Sequence, residues 1–343
     1  MKKNKLWLSL SLSALLLTAV GCGDKPDTSS GSTDEGSNEQ SYSIAISQYV
    51  EHPSLDATRE GILAALKDNG ITEDDNLKVD MNNAQADPTN NLSIGQKLKN
   101  TDADLVLAIA TPSAIVVKKN VTDKPVLFAA VTDPVDAKLV SDLKQPGGNV
   151  SGASDTNPEA TKQLMTFIHD HFPEIKTVGL IINEGEANAV VMSKTAEEAL
   201  SELGMTLIKA PVTNTSEVKQ AAESLVGKAD AFFITLDNNV VSGVDTIIQT
   251  AKENQIPFFS SDRDTVEKGA IATVGFKYFD HGYQVGLMAV EVLKNGKQPA
   301  EMEVTFPDKL DLILNVKAAA DYGITISDDM KQEVKDPENN IIE

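Results

Sequence analysis

One structural plan is written twice along this chain. A-D-L-V-L-A-I-A-T-P-S-A from Ala103 leads through a helix-length segment to K-P-V-L-F-A-A-V-T-D-P-V from Lys124. A-D-A-F-F-I-T-L-D-N-N from Ala229 leads in the same way to Q-I-P-F-F-S-S-D-R-D-T-V from Gln255. Upstream of each stands another apolar run with its own helix, beginning at Tyr42 and at Thr177. Continuous apolar runs alternating with helical periodicity predict parallel strands covered by helices on both faces. The expected fold class is therefore α/β, with two doubly wound parallel-sheet lobes. In such sheets the loops after the carboxyl ends of the strands form the ligand crevice, so two facing lobes enclose a cleft.

The first residues set the compartment. Lys2, Lys3 and Lys5 precede a short apolar stretch that ends at Gly21, and the chain's single cysteine follows at Cys22. A basic start and a short apolar core describe a secretory signal rather than a membrane span. Ala19-Val20-Gly21-Cys22 resembles a bacterial lipoprotein box, in which the cysteine is acylated, for instance with palmitate; a plain secretory signal with a stray cysteine is the alternative. Residues 1–21 are thus read as signal peptide and 22–41 as the lipidated Cys22 and a flexible linker. That linker has no aliphatic or aromatic residue before Tyr42 and cannot bury enough apolar surface to order itself. The expected location is the outer face of a bacterial cytoplasmic membrane, with contact through the lipid anchor only. One cysteine also means no disulfides within the chain.

The net charge is −21, and loss of the three signal lysines takes it to −24. Nucleic acid demands basic patches, so it is excluded as a partner. No phosphate loop, nucleophile elbow or glycine-rich dinucleotide fingerprint is present, and the four histidines lack metal-ligand spacing. No cofactor, no metal and no catalytic residue is expected.

Ligand-facing candidates come from the strand-end loops. Glu51 and His52 stand in a polar loop where a ligand would enter. Asp87, Thr111, Asp133 and Asn157 each precede a proline, a pattern that predicts helix starts. At Thr111 and Asp133 the start follows a buried strand, so free N–H groups would face the crevice and suit a carboxylate. Ordinary capping is the competing reading. In the second lobe Glu184, Glu186, Asn188, Asp237, Asn238, Asn239, Ser261, Asp262 and Asp264 fill the strand-end loops, as ammonium partners or as solvated acids. Phe276, Tyr278 and Phe279 could stack on a flat ligand or pack the core.

V-E-H-P-S-L-D-A-T-R-E-G, A-T-P-S-A, F-A-A-V-T-D-P-V, N-V-S-G-A-S-D, N-E-G-E-A-N and G-A-I-A-T-V-G-F-K-Y-F-D-H-G together resemble a family of ABC transporter substrate-binding lipoproteins of the tryptophan-binding type. The resemblance runs from Ser43 to about Ile324. It implies the type I periplasmic-binding-protein architecture, with three crossovers as a hinge. Residues 42–152 plus 273–298 would form the first lobe, and 153–272 plus 299–343 the second. It implies further that a carboxylate is held by Thr111, Ser113, Ala130 and Thr132, and an ammonium by Asp237 and Asp262. Thr235, Leu236 and Arg263 depart from other members and bear on the cargo.

The function so implied is capture of a small zwitterion, an aromatic L-amino acid such as tryptophan, by lobe closure. Delivery would be to a permease powered by ATPase subunits on separate chains, with the binding protein a monomer. Another amino acid or a nucleoside as cargo, or a role as ligand sensor, stands as an alternative. A cell-surface enzyme using Glu51 and His52 as an acid–base pair is the remote one.

Overall fold

The computed structural model describes residues 40–307 and 309–343; the expected signal segment, Cys22 and nearly all of the expected linker lie outside the described residues. The first sheet is built from β1 (Tyr42–Gln48), β2 (Leu77–Asn83), β3 (Leu105–Ile109), β4 (Val126–Val131) and β5 (Val150–Ser154). Its strands are all parallel, in the order β2-β1-β3-β4-β5. β6 (Thr177–Ile182), β7 (Thr206–Pro211), β8 (Ala231–Ile234) and β9 (Phe258–Ser260) form a second parallel sheet in the order β7-β6-β8-β9. The two sheets thus share one strand order, as the repeated sequence plan predicts.

Why the strands read as unbroken apolar runs is visible in their packing. Along β1 and β3, Ile44, Ile46, Leu105, Leu107 and Ile109 join one hydrophobic cluster, while Ala45, Val106 and Ala108 join another on the opposite face. Successive side chains point to opposite faces, and helices cover both. In the second sheet Phe232 pairs with Phe258 and Phe233 with Phe259, and all four are fully buried.

A three-stranded sheet completes the second lobe: β10 (Ala272–Gly275), β11 (Asp311–Asn315) and β12 (Ile341–Ile342). β10 runs antiparallel to β11, which is parallel to β12. The Ile271 N–H donates to the Phe258 carbonyl at 2.7 Å and ties this sheet to β9.

Three crossovers join the lobes, but at positions shifted from those expected. Ala272 and Val274 belong to the second lobe's core, so the passage back follows Gly275 rather than beginning at 273. The first lobe keeps β5 through Ser154, because that strand pairs with β4. It also keeps the stretch beyond 298: Met302 and Val304 pack in its clusters, and the Ser151 hydroxyl donates to the Met302 carbonyl at 2.7 Å. The Ser154 N–H then donates to the Thr305 carbonyl, so the first and third crossovers run side by side.

Helix Tyr278–Asn295 leaves the second crossover and lies against helix Pro53–Asp68 at backbone range. A Cβ on Gly282 would stand 2.0 Å from the Thr58 carbonyl oxygen, and one on Gly61 would stand 2.1 Å from that of Phe279. Gly286 likewise meets Ala65 and the Ile62 carbonyl. Only glycine permits this approach. Among the described residues no helix is long and apolar enough to cross a membrane.

Candidate functional site

The start of helix Pro53–Asp68 brings His52 and Ser54 from the first lobe to the cleft. His52 occupies the N-cap position with extended backbone and is buried. Its Nε2 lies 3.4 Å from Asn238 Oδ1 across the cleft. Asn238 Nδ2 already donates to Glu186 at 2.6 Å, so Asn238 Oδ1 is the acceptor and His52 carries its proton on Nε2. Burial pulls the His52 imidazole down to about 4, against the weaker effect of Asn238. His52 is therefore neutral at pH 7, with a buried Nδ1 acceptor that has no partner among the described residues. Two residues on, Ser54 Oγ donates to Asp262 Oδ2 at 2.8 Å, a second link between the lobes.

β4 ends irregularly, and this shapes the first lobe's wall. Its register against β5 shifts between Phe128 and Val131, and Ala130 adopts a left-handed φ of 53°. For a residue with a Cβ that conformation carries strain, of the kind retained where surrounding contacts fix it. Here the Ala130 N–H donates to His281 Nε2 at 3.0 Å. His281 is buried, its imidazole lowered to about 4 by that burial, and it sits on the glycine-packed helix. Ala130 and Thr132 face the cleft.

The opposite wall is carboxylate-rich. Asp155 opens the first crossover and is nearly fully buried. Its Oδ2 accepts from Tyr278 Oη at 3.3 Å and its Oδ1 from Thr156 Oγ1 at 3.0 Å. Burial pushes Asp155 up to about 6. Asp262 caps the helix that follows β9, accepting the Asp264 N–H at 3.0 Å and the Thr265 hydroxyl at 3.0 Å. It is raised by burial and, in smaller part, by the charge of Asp155. Asp264 rises to about 7 through burial and the neighbouring Asp262. Arg263, next to both in sequence, turns away: its guanidinium donates to Glu267, to Asn340 and to the Asn339 carbonyl.

Glu186 organises the rest of this wall. Its carboxylate accepts five N–H groups at 2.6–3.1 Å, from the backbone and side chains of Asn238 and Asn239 and the side chain of Asn188. Asn188 Nδ2 also donates to the Leu236 carbonyl at 2.7 Å, and its buried Oδ1 is an acceptor without a partner among the described residues.

These groups line a small chamber between the lobes, whose walls are His52, Ser54, Leu55, Ala130, Thr132, Asp155, Asn188, Leu236, Asn238, Val241, Asp262 and Tyr278. None of its lining residues is lysine or arginine. A second small chamber adjoins it and shares Asp155 and Leu236 as walls.

Seven of the thirteen ligand-site residues expected from sequence thus line one chamber: His52, Ala130, Thr132, Asn188, Asn238, Asp262 and Tyr278. The others stand elsewhere. Glu51 is exposed beside it. Thr111 and Glu184 border an outer groove with Tyr49 and Glu186. Thr111 is the first residue of its helix, not the cap, and its hydroxyl accepts the Thr132 N–H at 3.4 Å. Ser113 is buried beneath, near Ser47 Oγ and Asn91 Oδ1. Asp133 starts no helix; its side chain accepts the N–H groups of Val135 and Asp136 in a turn. Asp237 is fully buried inside the second lobe, accepting from the Asn183 N–H at 2.5 Å and the Val240 N–H at 3.1 Å. Burial first, and then Glu186, raise it well above the ordinary carboxylate range. Asp87 and Asn157 cap their helices as expected. Phe276 stacks within 4.8 Å of Tyr278, whereas Phe279 is exposed. Sequence reasoning did not select Ser54 or Asp155, and it named Leu236, which lines the chamber, only as a departure that bears on the cargo. Asp155 carried the same signal as Asp262, an acid within two residues of the end of a buried strand.

Residues 43–336 match the family described as ABC transporter substrate binding protein. The chain is 37% identical to a tyrosine-binding protein of Clostridioides difficile (strain R20291), over 92% of this chain and 91% of the relative. An ABC domain from Streptococcus pneumonia, solved in complex with L-Trp, superposes with a TM-score of 0.82 at 32% identity, covering 88% of this chain and all of that one. A substrate-binding protein with adhesive properties from Clostridium difficile, in a ligand-free, open structure, gives a TM-score of 0.63 at 36% identity, with 88% and 98% covered. Both structures share the type I periplasmic-binding-protein arrangement of two lobes. Members of this family bind solutes rather than transform them, so the acid–base reading of Glu51 and His52 falls away. The chain belongs to the ABC transporter substrate-binding protein family.

Proposed function

We propose that this protein captures an aromatic L-α-amino acid, tyrosine or tryptophan, in the chamber between its lobes and delivers it to a membrane permease. The observation that carries this reading is the pair of buried carboxylates Asp155 and Asp262, facing a cleft whose lining residues include no cationic side chain. A carboxylate held in low dielectric without a counter-charge resists ionisation, and an ammonium group supplies that charge. Asn188 Oδ1 and His52 Nδ1 are further unpartnered acceptors among the residues lining the chamber. The hydroxyl of Thr132, on the first lobe, suits the ligand's carboxylate. The tyrosine-binding relative and the L-Trp complex support an aromatic side chain.

Lobe closure is the proposed mechanism. The match is better to the L-Trp complex (0.82) than to the open, ligand-free structure (0.63), although identity to the latter is slightly higher. A rigid rotation of one lobe lowers a whole-chain superposition without altering either lobe, so the difference supports a closed arrangement here. Ser54–Asp262 and His52–Asn238 would form on closing. The chain would be held at the outer face of the membrane through Cys22, act as a monomer without a cofactor, and depend on ATPase subunits carried by other chains.

Isothermal titration of residues 41–343, refolded to strip carried-over ligand, against the twenty amino acids and a few nucleosides tests this. Tight binding of tyrosine or tryptophan is expected. Binding of a nucleoside or a non-aromatic amino acid alone would reject the cargo, and silence across the panel would reject the reading.

A further inference from the structure

Arg263 stands between two aspartates and pairs with neither. Asp262 precedes it as the helix cap and lines the cleft chamber, and Asp264 follows it. Asp264 Oδ2 is shielded from solvent and has no hydrogen-bond partner among the described residues. An arginine beside such an oxygen ordinarily turns onto it, because charge-assisted, two-pronged contacts with carboxylates are among the strongest polar contacts. Here the buried guanidinium is drawn the other way. Nε donates to Glu267 Oε1 at 2.9 Å, Nη1 to Asn340 Oδ1 at 2.6 Å and Nη2 to the Asn339 carbonyl at 2.8 Å. The Asn340 amide is itself fixed: its Nδ2 donates to Asp311 Oδ2 at 2.7 Å, so its oxygen is the atom left for Arg263. Asp311, on β11, also accepts the N–H groups of Lys335 and Asp336, which fastens the start of this segment to the sheet.

We propose that residues 336–342 act as a strap that keeps the Arg263 guanidinium off the cleft, and that Arg263, once released, pairs with Asp262 and Asp264 and displaces the ligand's ammonium group. Asn340 is then a positioning residue that acts through Arg263: the site is open to an external cation because the cation beside its acids is held elsewhere. Adjacent Cα atoms lie about 3.8 Å apart, well within the reach of an arginine side chain, so distance is no obstacle to the competing contact. What holds the guanidinium away is the strap, together with Glu267. A cation built into the chain competes at high effective concentration, so its release would count heavily against a free ligand. The inference deepens the amino-acid reading above and rests on it, since Asp262 is one of the two acids assigned to the ammonium.

The test is isothermal titration of the protein in four forms with L-tyrosine and L-tryptophan, with melting temperature as a control for folding. The forms are wild type, Glu267→Ala with Asn340→Ala, Arg263→Gln, and all three substitutions together. Freeing the guanidinium in the double variant should weaken binding by about tenfold, the effect of one hydrogen-bonded charge. Arg263→Gln should bind within about threefold of wild type, and adding it to the double variant should restore affinity to that level. This recovery separates the steering of a charge from mere support of the helix, which would leave the triple variant no better than the double. Wild-type affinity in the folded double variant, or a triple variant as weak as the double, overturns the inference while the amino-acid reading stands. Should the double variant fail to fold, Asn340→Ala with and without Arg263→Gln gives the same comparison, with a loss of about threefold expected and the same two outcomes against it. Failure of wild type to bind either amino acid would sink that reading itself.

Discussion

Ser54 Oγ, in the first turn of a first-lobe helix, donates at 2.8 Å to Asp262 Oδ2, the cap of a second-lobe helix. Each residue thus serves its own helix and also meets the opposite lobe. Asp262 keeps the Asp264 N–H and the Thr265 hydroxyl when Ser54 is lost, so its carboxylate is not stranded. Ser54→Ala should therefore leave the melting temperature of the open form nearly unchanged and weaken ligand binding about tenfold, through a less populated closed state. Titration calorimetry together with solution scattering, which reports lobe separation, would check it. Unaltered affinity would mean that this link adds nothing to closure.

Asp155 should trade stability for affinity. Its rise from 3.8 to about 6 corresponds to a cost of about 3 kcal/mol once it ionises in the ligand-free fold. Asp155→Asn should raise the melting temperature of the free protein at pH 7 and weaken amino-acid binding at least tenfold. A variant that loses stability would contradict this assignment.

The same group sets a pH dependence of known sign. Between pH 3.8 and about 6 the folded chain retains a proton on Asp155 that the unfolded chain has released, so this contribution to stability is lost as pH rises through 6. The stability gap between Asp155→Asn and wild type should open from near zero at pH 4 to its full size by pH 7. Affinity for an ammonium ligand runs the other way and should fall as pH drops below 6. His52 and His281, lowered to about 4, oppose the Asp155 slope: their contribution is present above 6.5 and lost as pH falls toward 4. Thermal melts and titrations across pH 4–8 would separate these effects.

Glu186→Gln should be costly although Glu186 does not line the chamber. An amide has one acceptor oxygen where the carboxylate has two, and its NH2 would confront the N–H groups of Asn238, Asn239 or Asn188. A loss of about 2–4 kcal/mol is expected, with weaker ligand binding because Asn188 and Asn238 lose their orientation. Denaturant unfolding and calorimetry would measure both.

Gly282→Ala should destabilise the first lobe by about 3 kcal/mol or more, since the added methyl meets the Thr58 carbonyl and no side chain can yield. Thermal unfolding that reached wild-type temperatures would show that the two helices can separate freely.

The sequence made the strands legible because both faces of each sheet are covered, which forces unbroken apolar runs. Crossover positions were less so: β10 and the stretch to Thr305 look alike locally, and only pairing with β11 or with β5 decides their lobe. At the site, acids after strands were the right signal, but sequence cannot say where each carboxylate turns. Asp237 and Asp262 hold equivalent places, yet one is saturated by N–H groups inside its lobe and the other reaches Ser54. Glu184 and Glu186, two residues apart, divide likewise into an exposed residue and a buried organiser. Proline after a polar residue predicted caps at Asp87 and Asn157 but not at Asp133, where the chain makes a turn instead.

Between Gly275, which ends β10, and Tyr278, which begins the glycine-packed helix, only Phe276 and Lys277 remain. Because that helix is locked to helix Pro53–Asp68 at backbone distance, the first lobe has no slack to offer at this joint. Those two residues therefore act as a tether of fixed length that sets the arc along which the lobes swing. Adding a single residue there would redirect the arc and carry the two walls past one another, with every side chain of the site still in place.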